Sequence, residues 1–155
     1  MNLSNTTAFF FAYTLLLSGV SPAFACPPKE VQSSYENNGI KFEVQDCQRQ
    51  AKKVTCRGLI TSTEKDLGDV RLSVNSGSMT RMIDSSGNEY TASIGKIGNQ
   101  ESREVVNSKL TKDVPMKMIV VFADVPSDVK DIASLEIDVY GSSSATSKLL
   151  NLKIK

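Results

Sequence analysis

The chain has 155 residues, with 18 Lys and Arg against 17 Asp and Glu, and it contains neither His nor Trp. That length fits one domain with a core of its own, and the near-zero charge balance argues against nucleic acid or an anionic membrane as an obligatory partner. Without histidine there is no Ser-His-Asp triad, no Cys-His dyad and no His-Glu-x-x-His zinc helix.

The first charged side chain is Lys29. Ahead of it, Ala8 to Leu17 is almost wholly apolar, and Ala23-Phe24-Ala25 has the small-x-small form of a signal-peptidase site. Residues 1–25 are expected to be a cleaved signal peptide, which places the mature chain outside the cytoplasm, secreted or periplasmic. The apolar run is too short for a membrane span, so no transmembrane segment is expected after cleavage. Cys26 follows the cleavage site directly and admits a second reading, a lipoprotein lipidated on Cys26. Ala23 and Phe24 stand where a lipobox favours Leu and a small residue. Phe9, Phe10, Phe11 and Phe24 all fall in the signal, so the mature core must rest on Val, Ile, Leu and Met.

Residues 26–38, opening on Cys26-Pro27-Pro28, are polar and are expected to be a flexible, mostly extended lead-in. From Gly39 the pattern turns to period two, and residues 39–155 read as one domain. Ile40, Phe42 and Val44 alternate with Lys41, Glu43 and Gln45, the mark of a half-buried strand. Val54–Ser62 returns as its hairpin partner. Val70, Leu72 and Val74 alternate, as do Tyr90, Ala92 and Ile94. Met116 to Val125 is apolar on both faces apart from Lys117, which predicts a central strand covered on both sides or the most buried strand of a sandwich. Pro126 to Ser134 is the best place for a single helical turn. Leu135, Ile137 and Val139 alternate, and Leu150, Leu152 and Ile154 follow to the end. Turn residues at Asn75–Ser78, Asp84–Tyr90 and Gly141–Ser147 punctuate these runs. Eight or nine short strands so separated indicate an all-β, antiparallel, immunoglobulin-like sandwich.

Cys47 and Cys56 lie nine positions apart on the first hairpin. Antiparallel pairing sets them opposite each other, within disulfide reach, and an exported chain favours the bond. Structural zinc needs four ligands and catalytic zinc three, so two thiolates without histidine hold no metal. No metal or cofactor is expected. The same register pairs Glu43 with Ile60, polar against apolar. A bulge at Gly58 would send Ile60 inward; otherwise Leu59 is the buried residue. The alternation leaves both open.

Arg49, Lys52, Lys53 and Arg57 make the hairpin basic, a candidate contact for a partner set against the bland reading of a solvated tip. Met79, Met82, Met116 and Met118 have spacings found in copper(I) carriers, but Met116 and Met118 share a strand face with Val120 and Phe122, which favours core filling. Asp84 and Asn88 fall short of an EF-type calcium loop. Plentiful carboxylates leave a glycosidase formally open, yet Trp is absent and no tuned acid/base pair stands out, so no enzyme is expected.

Asp84, Gly87 and Tyr90, in an Asp-x-x-Gly-x-x-Tyr pattern, are followed by Phe122, Val125 and Pro126 in Phe-x-x-Val-Pro. Over about residues 39–155 the chain resembles the secreted bacterial immunoglobulin-like sandwiches grouped with an immunoprotective mycobacterial antigen and a lipoprotein-associated domain of unknown function. The resemblance implies a sandwich fold and an envelope location, and it brings no catalytic residues. The leading expectation is an exported, non-enzymatic module that binds another protein or an envelope component. A small-ligand or copper carrier working through the methionines is the alternative, and a hydrolase comes third.

Overall fold

The computed structural model describes residues 30–76 and 79–155. The expected signal, Cys26, the front of the lead-in, and Gly77 and Ser78 lie outside those residues. The strands are β1 (Ser33–Asn37), β2 (Ile40–Gln50), β3 (Lys53–Ser62), β4 (Leu67–Ser73), β5 (Arg81–Asp84), β6 (Glu89–Ile97), β7 (Gln100–Ser102), β8 (Val105–Leu110), β9 (Met116–Phe122), β10 (Asp131–Glu136), β11 (Asp138–Gly141), β12 (Ala145–Thr146) and β13 (Leu149–Lys153). All pair antiparallel in two sheets. The larger runs β1-β2-β3-β9-β6-β5-β10-β13, with β7 added on β6, and the smaller runs β12-β11-β4-β8.

The larger sheet curls until its ends meet. Lys155 N–H donates to Cys47 O and Arg49 N–H donates to Lys155 O, each at 2.8 Å. The edge of β2 is thus shared: β1 covers residues 40–44, and the last two residues cover 47–49. The small sheet lies across the inner face. A Cβ built on Gly95 of β6 would meet Val74 Cγ2 at 2.6 Å and Leu72 Cδ2 at 3.0 Å, so glycine lets the layers approach. The core is aliphatic with two phenylalanines, and Phe42, Val44, Val120 and Phe122 are all buried in it, as the alternation predicts.

Several sequence expectations are corrected. Residues 33–37, inside the predicted lead-in, are a strand, because Asn38-Gly39 turns the chain with φ of 50° and 70° and folds β1 onto β2. Asn-Gly is a strong hairpin signal, since both central residues of such a turn need positive φ. The predicted helical turn at Pro126–Ser134 is a reverse turn, Val129 N–H to Pro126 O at 3.3 Å, followed by β10. Leu135–Val139 is not one strand. The chain crosses at Ile137 from the large sheet to the small one, which makes two strands of that run. The crossing is held by a buried serine: Ile137 N–H donates to Ser147 Oγ at 3.0 Å, and Ser147 N–H donates to Ile137 O at 2.9 Å.

The last strand is offset by one residue. Asn151 has a φ of 57°, so Leu149 and Leu152 are buried while Leu150 is 47% exposed. Along β6 the register shifts between Ala92 and Ile94, which turns Ile94 outward and Gly95 and Ile97 inward. The choice between Leu59 and Ile60 is decided by a bulge in β2 between Val44 and Asp46, opposite Gly58. Ile60 pairs with Phe42 and is buried, and Leu59 faces out. Gly58 is required there, because a Cβ would lie 2.0 Å from the Glu43 carbonyl oxygen.

Candidate functional site

The β2–β3 hairpin is stapled by Cys47–Cys56, with an S–S distance of 2.01 Å. The pair is cross-strand, and both cysteines are buried. A loop this short gives about 2–3 kcal/mol in the loop-entropy account. The tip is the two-residue turn Ala51–Lys52 between Gln50 and Lys53, and Ala51 sits at φ 53°.

The four basic residues of this hairpin do not form one patch. Arg49 pairs with the buried Val54, so it lies on the inner face at the open end of the curl. Its guanidinium donates to Val125 O at 3.1 Å and to Val129 O at 2.6 Å. It therefore ties the β9–β10 connection to the hairpin and is occupied structurally. Lys52 and Lys53 are exposed at the tip. Arg57 points outward, donating to Gln48 Oε1 at 2.8 Å and standing 3.7 Å from Asp46.

The outward face continues across neighbouring strands in rows set by the register. Arg57, Ile119 and Lys96 form one row across β3, β9 and β6, and Thr55, Val121 and Ile94 form the next. Leu59 stands opposite Lys117 one row further. Here the expectation that β9 is covered on both faces fails. Met118, Val120 and Phe122 are buried, whereas Ile119 and Val121 are only half-buried and Lys117 is exposed.

The Asp84–Tyr90 loop lies at the same end of the molecule as the hairpin tip and is closed on itself. Asp84 Oδ1 accepts the N–H groups of Ser86 (2.8 Å) and Asn88 (2.9 Å); Oδ2 accepts Asn88 Nδ2 (2.9 Å) and Tyr90 OH (3.1 Å). Gly87 supplies the positive φ, 85°, that the turn needs. Four donors hold the carboxylate below its ordinary pKa, the Asn88 side chain first among them. Burial pushes the Tyr90 phenol up, and its bond to Asp84 adds to that. The motif residues Asp84, Gly87 and Tyr90 thus build one turn.

Of the four methionines at copper(I)-carrier spacings, Met82 and Met118 are buried core, Met116 packs against the core, and Met79 is exposed. Among the described residues no group of three or more His, Cys, Asp or Glu could hold a metal ion. No helix among them is long and apolar enough to cross a membrane. No protein-family model matches the chain, and no curated protein does.

Proposed function

We propose that the protein is an exported, non-enzymatic binding module of the bacterial envelope or secreted fraction. In this reading it meets another protein or an envelope component through the outer side of the β2–β3 hairpin. The observation that carries the reading is the presentation of Lys52, Lys53 and Arg57 toward solvent on a hairpin stiffened by a disulfide, while Arg49 is taken up in the fold. Export is supported by Ala23-Phe24-Ala25 ahead of Cys26, by a disulfide that persists in oxidising compartments, and by the resemblance carried by Asp84, Gly87, Tyr90, Phe122, Val125 and Pro126.

Two measurements test it. The intact mass of the secreted chain should correspond to a start at Cys26 without lipid; a diacylglyceryl mass would make it a lipoprotein, and a retained signal would overturn cleavage. Photo-crosslinking from the hairpin tip in the secreting cell should give one defined adduct that disappears in the double variant Lys52→Glu, Lys53→Glu. No adduct, or one indifferent to the charge reversal, would sink the hairpin as the contact.

A further inference from the structure

The outward band of β3, β9 and β6 is a place where sequence and fold disagree about coverage. Leu59, Ile94, Ile119 and Val121 are four aliphatic side chains on a sheet face where alternation normally sets polar ones. They are contiguous: Ile94 pairs with Val121, Ile119 is two residues before Val121 on β9, and Leu59 lies diagonally across from Ile119 on β3. Neighbours on one sheet face stand close enough to touch at these spacings.

The charges around the band have one sign at its centre. Arg57 and Lys96 flank Ile119 on either side, and Lys117 precedes it on the same strand. Four other cations sit tightly on carboxylates: Arg81–Glu136 at 2.7 Å, Lys153–Asp131 at 2.8 Å, Lys41–Glu43 at 2.9 Å and Arg71–Asp69 at 3.0 Å. The band's cations are held loosely. Arg57 is 3.7 Å from Asp46, Lys96 is 4.0 Å from Glu101, and Lys117 makes no salt bridge among the described residues. Asp46 is itself buried, so the charge shown to solvent in that pair is the guanidinium, 42% exposed. Lys117 and much of the Arg57 guanidinium thus face solvent, open to a further carboxylate.

We propose that this band docks an extended acidic segment of another protein, its aliphatic side chains on Leu59, Ile94, Ile119 and Val121 and its carboxylates on Arg57, Lys96 and Lys117. This deepens the binding-module reading and rests on it. A second copy of the chain is a poor occupant, since like faces would set cation against cation. An extended segment fits because its side chains on one face repeat every two residues, the period of the rows it would cross.

The probe is a labelled eight-residue peptide alternating Glu and Val, with Lys–Val and Glu–Ser peptides as controls, followed by fluorescence anisotropy at low and high salt. The Glu–Val peptide should bind and the two controls should not. Affinity should fall about tenfold for the double variant Ile119→Thr, Val121→Thr, equivalent to about 1.4 kcal/mol. It should also fall for Lys117→Glu and weaken with salt. Thermal melts of both variants should stay single cooperative transitions well above the assay temperature, which separates lost binding from lost folding. Equal binding of Glu–Val and Glu–Ser, or variants that bind like wild type, would overturn the site. Binding to phosphatidylglycerol vesicles in place of the peptide would overturn it in favour of a lipid surface. If the Glu–Val peptide fails to bind the wild-type protein while the tip crosslink still forms, the band is wrong and the binding module stands.

Discussion

The two faces of the layer formed by β2, β3, β9 and β6 are built from the same strands and do different things. Inward stand Phe42, Ile60, Met118, Val120 and Phe122, all buried, together with the disulfide. Outward stand Leu59, Ile119 and Val121, partly wet and mixed with Arg57, Lys96 and Lys117. The two arginines of one hairpin show the difference most directly. Arg49, on the inner side, is consumed by two carbonyls of the β9–β10 connection, and Arg57, on the outer side, meets only the side chains of Gln48 and Asp46 and stays partly in solvent. Composition cannot separate them; the side of the sheet can.

The comparison breaks first at Phe122. Phe122→Ala should cost about 3–5 kcal/mol in a denaturant melt, because it empties a fully buried aromatic site. A harmless outcome would mean that the inner face is not the core. Next comes the acid limb. The folded pKa of Asp84 is lowered, so its contribution is complete above the ordinary value of 3.8 and is lost as pH falls from there through the folded pKa. Asp84→Asn should flatten that stretch of the stability–pH curve, and an unchanged acid limb would remove the carboxylate as its source.

Smaller effects sharpen the contrast between the arginines. Arg49→Ala should cost about 1–2 kcal/mol, since a charged donor serving two carbonyls is lost from a partly buried site. This exceeds the near-zero effect that an exposed hairpin charge implies. Ile119→Thr should cost less than about 1 kcal/mol, because a half-buried β-branched site keeps its strand preference. Arg57→Ala should be smallest, below about 0.5 kcal/mol, as for an exposed surface position. Arg49 and Arg57 variants of equal stability would erase the difference between the faces.

By itself the sequence determined the class: short alternating runs, turn residues between them, no helical stripe, and a cysteine pair at hairpin spacing that the fold joins. The hairpin at Asn38-Gly39 was missed, although its turn dipeptide was the signal to read. What only the tertiary structure decided is which side each residue faces. A period of two is reversed by a single extra residue, and three such shifts, at Val44–Asp46, Ala92–Ile94 and Asn151, each send a different leucine or isoleucine to the other side. The split of Leu135–Val139 between sheets, the capture of Arg49 by distant carbonyls and the exposure of half of β9 depend on contacts between residues far apart in the chain, which local pattern does not encode.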